Sequence, residues 1–172
     1  MTVMAVQLER RTRYSYRADA DVPTFDDSRP IVIFDGHCVL CSAGVQWMLA
    51  RDPGGVTRFA AIQTAVPRAL YRHYGLDADV FDTFMVLEGG RPHLRWAGVL
   101  AAARSLPQPW RFLGHAGRLV PGFVGDRLYD VLQRNRIRWF GARETCLVPQ
   151  DDNRDRFLAS GQAAGTRPST DV

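Results

Sequence analysis

The chain lacks features that several classes of protein require. No apolar run approaches the roughly 20 residues of a membrane-spanning helix, and residues 1–28 contain no apolar core of signal-peptide length. Cysteine is scarce, because only Cys38, Cys41 and Cys146 occur. An odd number with one tight pair is unlike the disulfide framework of a small secreted domain. We therefore expect a cytoplasmic protein without a membrane-inserted segment.

Lysine is also absent, so all 22 basic residues are arginine and the net charge is +4. The arginines are spread along the chain, with one denser stretch at Arg134, Arg136, Arg138 and Arg143. Such a stretch can bind nucleic acid, but a solvated helix end is the commoner use of this pattern. We therefore expect no nucleic-acid partner, and we interpret the neighbouring Trp139 and Phe140 as core residues.

The composition describes one globular domain with polar ends. A chain of 172 residues can bury one proper core, and 46% hydrophobic with 23% charged residues is typical of a globular protein. Residues 1–29 are polar and predict an N-terminal arm. Residues 30–158 carry the domain. Residues 159–172 are small and polar, and this composition predicts a disordered tail because it cannot bury enough apolar area.

The most informative stretch is residues 35–41, Asp-Gly-His-Cys-Val-Leu-Cys. It follows the fully apolar run Ile31–Phe34, which predicts a central strand, and it opens an apolar helix that ends near Arg51. Two intervening residues place Cys38 and Cys41 on the first helical turn. Unpaired N–H groups and the dipole at a helix N-terminus favour a thiolate, which is the reactive form of cysteine.

The order of the predicted elements indicates an α/β fold. Strand 56–62 and helix 64–74 follow the motif, then strand 83–87, a turn at Gly89-Gly90, an edge strand 92–96, and helices 99–106, 110–120 and 123–134. Residues 138–146 are predicted to form a closing loop. A right-handed βαβ unit makes the first two strands parallel, and the hairpin adds an antiparallel strand. This is a thioredoxin-like order with a mixed sheet and additional C-terminal helices.

Two segments resemble the DCC family of thiol–disulfide oxidoreductases. The first is the Asp-Gly-x-Cys-x-x-Cys start at Asp35, Gly36, Cys38 and Cys41. The second is the closing segment Tyr129-Asp130, Arg134-Asn135-Arg136, Trp139-Phe140-Gly141 and Cys146-Leu147-Val148-Pro149. The resemblance covers about residues 31–149 and implies a thioredoxin-like fold and protein-disulfide reduction or oxidation. Thioredoxins place a proline before the strand that faces the cysteines, whereas residues 80–82 contain none.

The motif suggests a role for each of its polar residues. We expect Cys38 to be the exposed nucleophile and Cys41, one turn further along, to resolve the mixed disulfide. Asp35 is either a general base for Cys41 or an acceptor for backbone N–H groups of the turn. Gly36 is expected to supply a positive φ or a close approach to substrate. His37 either stabilises the thiolate or faces solvent without a role.

The expected partners are a disulfide-containing protein or small-molecule thiol substrate and a dithiol electron donor, with no cofactor. Because Val39 and Leu40 carry no charge, we expect a reducing pair near the thioredoxin potential of about −270 mV.

Two other functions fit the sequence. One is a zinc-binding module of Cys38, Cys41 and Cys146, with His37 as an optional fourth ligand, although zinc usually takes four ligands and no second close pair is present. The other is a non-catalytic interaction protein that binds a partner through its arginine-rich C-terminal helices. Cys146 itself is a third redox thiol, a metal ligand or a small buried hydrophobe.

Overall fold

The computed structural model describes residues 12–81, 83–142 and 151–158. The strands within these ranges are β1 (Ile31–Phe34), β2 (Arg58–Ala61), β3 (Met85–Glu88) and β4 (Arg91–Leu94). The α-helices are α1 (Val39–Leu49), α2 (Ala65–His73), α3 (Arg95–Ser105), α4 (Trp110–Ala116) and α5 (Gly122–Phe140). Short 3-10 turns cover Ser15–Ala18, Gly117–Leu119 and Asp151–Arg156. Cys146 and the predicted tail lie outside the described residues.

The four strands form one mixed sheet in the order β2-β1-β3-β4. Strand β1 pairs in parallel with β2 and antiparallel with β3, and β3 pairs antiparallel with β4 across Gly89-Gly90. Both turn glycines have positive φ, which a tight hairpin requires. The fold is therefore thioredoxin-like, as predicted, although the second, third and fourth strands begin or end one or two residues from their predicted bounds.

Both faces of the sheet are covered, and β1 contributes to both. Ile31 and Ile33 pack on the side of α2 with residues such as Leu70. Val32 and Phe34 pack on the opposite side with residues of α1, β2 and α3. All four β1 side chains are buried. This three-layer arrangement explains why β1 is apolar throughout, and it places the end of β1 next to the start of α1.

Residues 12–29, which belong to the predicted arm, pack against the domain. Tyr16 is buried in the α2-side core, and its hydroxyl donates to Asp27 at 2.6 Å. His73 of α2 lies 2.9 Å from Ser15 Oγ through Nε2 and 2.5 Å from Asp19 Oδ2 through Nδ1. A cavity of about 440 Å³ lies at this seam. Ser15, His73 and Asp19 thus tie the N-terminal segment to α2.

A buried ion pair holds the last described turn on the domain. The Arg156 guanidinium donates to Asp52 Oδ2 at 2.5 Å and to the Thr57 carbonyl at 2.8 and 3.0 Å. Asp52 also accepts the backbone N–H groups of Val56 and Thr57. Burying an unpaired charge would be costly, and the ion pair with its hydrogen bonds offsets that cost for both Arg156 and Asp52.

Helix α5 differs most from the sequence prediction. It continues to Phe140, so Arg138, Trp139 and Phe140 are helical rather than part of a closing loop. No glycine or proline interrupts residues 126–140, and Gly141 ends the helix with φ 87°. Trp139 and Phe140 are exposed, so their interpretation as core residues is wrong. None of the described helices has the length and apolar character needed to cross a bilayer.

Candidate active site

The two motif cysteines meet at the junction of β1 and α1. Cys38 is the N-cap of α1, and its Sγ accepts the backbone N–H of Cys41 at 3.2 Å. The Cys41 thiol also donates to Cys38 Sγ, with the two sulfurs 2.6 Å apart. Both cysteines are free. The spacing therefore places the pair on one helical turn, as predicted, within direct contact of each other.

The exposure of the pair is opposite to the prediction. Cys38 is 0% exposed, whereas Cys41 is partly exposed. The chain that leaves α5 covers the start of α1: Gly141 accepts the Val39 N–H at 3.4 Å, and Ala142 forms a β-bridge with Cys38. A helix start that looks exposed from the local sequence is thus buried by a segment about a hundred residues later.

Arg136 is the site residue that the sequence reasoning missed. It was expected at a solvated helix end, and this expectation is wrong because its side chain is buried on the inner face of α5. The guanidinium Nη2 lies 3.4 Å from Asp35 Oδ2 and donates to the Phe81 carbonyl at 3.1 Å. Its Nε has no hydrogen-bond partner among the described residues. Arg136 thus brings a cation to the motif.

The local contacts shift the pKa values of the two thiols in opposite directions. The hydrogen bond from the Cys41 thiol is the main reason that the pKa of Cys38 falls to about 6, and the Cys41 N–H and Arg136 act in the same direction. Burial and the Asp35 carboxylate oppose this fall. The hydrogen bond to Cys38 and burial raise the pKa of Cys41. The shared proton therefore remains on Cys41, and the charge lies on Cys38.

The remaining motif residues build the turn before α1. Asp35 Oδ1 accepts the His37 N–H and the side-chain amide of Gln63, each at 3.0 Å. Gln63 Oε1 accepts the Gly36 N–H at 3.2 Å. Gly36 is buried and is not among the described glycines with positive φ, so the positive-φ alternative is wrong, whereas a close approach of Gly36 to substrate stays a prediction. The side chain of His37 is exposed. Gln63 had no local sequence signal and contacts the turn only through the fold.

Helix α5 also holds the segment before β3, where thioredoxins have a proline. Tyr129 accepts the Phe84 N–H at 2.7 Å, and Gln133 donates to the Phe81 carbonyl at 3.2 Å. Burial raises the pKa of Tyr129, and the neighbouring Cys41 adds to that rise. Tyr129, Gln133 and Arg136 therefore connect α5 to both the motif and this segment.

The described side chains contain no metal centre. In residues 12–81, 83–142 and 151–158, no three histidine, cysteine, aspartate or glutamate side chains lie close enough to hold a metal ion. The hypothetical zinc site also required Cys146, which lies outside these ranges. Cys38 and Cys41 thus form a dithiol within the part of the chain that can be described.

A mixed sheet with a free dithiol at the end of its first strand defines a thioredoxin-like dithiol protein. A family model for DCC1-like thiol-disulfide oxidoreductase matches residues 32–142, and the chain belongs to this family. The chain is 34% identical over 128 residues to the uncharacterized protein YuxK of Bacillus subtilis (strain 168). The aligned residues cover 74% of this chain and 93% of YuxK.

A second relative gives the same family. The chain is 31% identical over 121 residues to the DCC family protein At1g52590, chloroplastic, of Arabidopsis thaliana, covering 70% of each protein. No solved structure matches the chain. The resemblance that the two sequence segments indicated is thus confirmed.

Proposed function

We propose that the protein is a thiol–disulfide oxidoreductase of the protein-disulfide reductase type. The observation that carries this proposal is the charge separation between two sulfurs 2.6 Å apart, with the pKa of Cys38 lowered to about 6 and that of Cys41 raised. A nucleophilic thiol with a pKa just below neutral pH is ionised in the cell and remains a good nucleophile. The membership of the family supports the same reaction class.

The reaction transfers two electrons in two exchange steps. The Cys38 thiolate attacks one sulfur of a substrate disulfide, forms a mixed disulfide and releases the other substrate sulfur as a thiolate. Cys41 then loses its proton and attacks Cys38 Sγ. This second step forms the Cys38–Cys41 disulfide and releases the second substrate thiolate. A dithiol electron donor reduces the protein again by the reverse sequence.

Asp35 and Arg136 have complementary roles in this proposal. Arg136 favours the thiolate of Cys38 before the attack. Once Cys38 is bound to substrate, its charge is gone, and Cys41 must be deprotonated. Asp35 is the carboxylate nearest to this turn in sequence and acts as the general base for that step. Its bonds to the His37 N–H and Gln63 also support a structural role.

Because Cys38 is buried, the reaction requires a movement that exposes its sulfur. A disulfide reaches the Cys38 sulfur only when residues 141–142 move away from the start of α1, since Cys38 is 0% exposed. Cys41 is more accessible, but its raised pKa makes it a poor first nucleophile. Gly36 and His37, which directly precede Cys38 in the turn, are the residues we propose to modulate substrate binding.

The expected partners follow from this chemistry. The substrate is a disulfide-containing protein or a small-molecule thiol in its oxidised form, and the electron donor is a second dithiol. A reducing role suits the cytoplasm, which keeps thiols reduced. The mechanism requires no cofactor and no nucleic acid.

The test is reduction of insulin disulfides with a dithiol as the electron source. We expect turnover by the full chain, loss of turnover in Cys38→Ser, and near-normal turnover in the matched control Cys146→Ser. Retained activity in Cys38→Ser would reject the proposal. Loss of activity in the control would instead place the chemistry at Cys146.

A further inference from the structure

Helices α4 and α5 carry an apolar surface that residues 12–81, 83–142 and 151–158 leave uncovered. We define the basic apolar face by six side chains, which are Phe112, Leu119, Phe123, Leu128, Leu132 and Trp139. The two most exposed flank the connection between the helices: Leu119, in the 3-10 turn after α4, is 87% exposed, and Phe123, in the first turn of α5, is 78% exposed. Exposed apolar patches of this kind mark interaction sites.

The helical spacing on α5 places several of the exposed apolar side chains on one side of the helix. Val124, Leu128, Leu132 and Trp139 recur at four- and seven-residue steps, so they share one side of the helix. Phe123 lies one turn before the exposed Arg127, on the neighbouring side. The inner side of α5 carries the buried Gly125, Tyr129 and Arg136. The exposed apolar side chains therefore lie beside the side of α5 that packs on the domain and are not part of it.

The charges around the face have one sign. Five exposed arginines accompany it, namely Arg111, Arg118, Arg127, Arg134 and Arg138. The acidic residues in the described part of 107–142 are Asp126 and Asp130, and both have partners within the domain. Asp126 accepts the Trp96 N–H, and Asp130 pairs with Arg95 at 3.5 Å. Arg134 reaches Asp130 only at 3.9 Å.

The exposed apolar residues and the arginines together indicate which kind of partner fits the basic apolar face. A second copy would bring the same arginines together across a two-fold interface, which like charges disfavour. Nucleic acid would pair with arginine but would leave Leu119 and Phe123 without an apolar environment. An anionic lipid surface provides phosphates for the arginines and an acyl boundary for the apolar tip, as it does for interfacial helices rich in arginine, phenylalanine and leucine.

We propose that the basic apolar face binds an anionic membrane surface, with Leu119 and Phe123 entering the headgroup–acyl boundary and Arg118 and Arg127 contacting phosphates. The protein lies on the membrane and does not span it, so no transmembrane helix is needed. This inference is independent of the redox proposal, because none of these residues belongs to the motif or contacts it in the described structure.

The test is co-sedimentation of the full chain with phospholipid vesicles at physiological salt. One set contains phosphatidylcholine alone, and the other contains phosphatidylcholine mixed with phosphatidylglycerol. We expect binding to the anionic vesicles only. The pair Arg118→Gln and Arg127→Gln should weaken binding roughly 30-fold, since each arginine near an anionic surface contributes about fivefold. Leu119→Ser with Phe123→Ser should reduce binding at least as strongly.

Matched controls separate this surface from general charge and hydrophobicity. Arg91→Gln removes an exposed arginine from β4, and Val56→Ser removes an exposed apolar side chain near β2. Both should bind vesicles like the unaltered protein, and all variants should reduce insulin at the normal rate. Loss of insulin reduction in the face variants, with normal reduction by the two controls, would show that the face and the redox site are not independent.

Three outcomes would overturn the membrane proposal. The first is failure to bind anionic vesicles. The second is binding that the controls weaken as much as the face variants do. The third is a dimer, detected by sedimentation velocity without vesicles, that Leu119→Ser with Phe123→Ser dissociates while vesicle binding is unchanged or absent, because the face would then bind a second copy.

Discussion

Replacing Arg136 by glutamine tests whether the Arg136 guanidinium lowers the pKa of Cys38. Arg136 ranks below the Cys41 hydrogen bond and the Cys41 N–H among the causes that lower the pKa of Cys38. A nearby cation typically shifts a pKa by 1–3 units, so we take about 1 unit here and expect the pKa to rise from about 6 to about 7. The thiolate fraction at pH 7 would then fall from about nine-tenths to about one half.

The rate does not simply follow the thiolate fraction. A thiolate of higher pKa is a stronger nucleophile, and one unit increases its reactivity roughly threefold. At pH 5.5 the fall in thiolate is about eightfold, so Arg136→Gln should react about three times more slowly. At pH 8.5 both proteins are ionised, and the variant should react about three times faster. The two profiles therefore cross at about pH 6.6.

The assay measures the pKa and the rate in the same protein. Absorbance of the thiolate at 240 nm reports the pKa, and stopped-flow reaction with a small aromatic disulfide reports the rate. Arg136→Lys is the matched control, because it retains the charge and should shift the pKa less. A variant that is slower by the same factor at every pH would refute the electrostatic reasoning. It would show that Arg136 acts only by supporting the fold.

Three other predictions follow from the described contacts. Asp35→Asn should slow turnover about 100-fold while lowering stability by at most about 1–2 kcal/mol, as measured by insulin reduction and thermal melting; the opposite balance would show a structural role. Arg156→Ala leaves Asp52 buried without its cation and should cost about 3–5 kcal/mol in urea unfolding, whereas an effect no larger than that of the exposed Arg91→Ala would contradict the importance of this pair. The reduction potential of the Cys38–Cys41 pair, equilibrated against glutathione and read by alkylation gel shift, should lie about 20 mV above the thioredoxin value of about −270 mV, because Arg136 stabilises the reduced thiolate; a value above about −180 mV would reject a reducing role.

The parts of the fold that depend on local patterns were predictable. Ile31–Phe34 is a strand because a continuous apolar run flanked by polar residues suits a buried strand, and Gly89-Gly90 forms a hairpin because both positions need positive φ. The N-cap position of Cys38 likewise follows from a strand that ends four residues earlier. These features need no information from distant parts of the chain.

The errors concern contacts between distant segments. Arg136 and Asp35 are 101 residues apart in sequence, and no local pattern distinguishes Arg136 from the exposed Arg134 and Arg138. Periodicity offers one partial signal, because residues 125, 129 and 136 lie on one side of α5. That signal is usable only when the helix is extended to Phe140, beyond its predicted end.

The burial of Cys38 has the same origin. Its cover is formed by Gly141 and Ala142, whose position depends on where α5 ends and on the packing of α5 against α1. From the sequence, His37 was the only cation expected near the thiolate, since the dipeptide between the cysteines carries no charge. Arg136 is a cation close to the Cys38 thiolate. Because it stabilises the reduced form, the expected reduction potential rises slightly but stays in the reducing range.

The central claim, that Cys38 is the attacking sulfur although it is the buried one, is tested most directly by trapping the mixed disulfide. Cys38→Ser and Cys41→Ser proteins are each mixed with a disulfide substrate under denaturant-free conditions, and the adducts are mapped by mass spectrometry of alkylated peptides. Removal of the resolving thiol leaves the first covalent step intact. Our account predicts a substrate adduct on Cys38 in Cys41→Ser and no adduct in Cys38→Ser. An adduct on Cys41 in Cys38→Ser, with none on Cys38 in Cys41→Ser, would show that exposure rather than thiolate stability selects the nucleophile and would contradict the account.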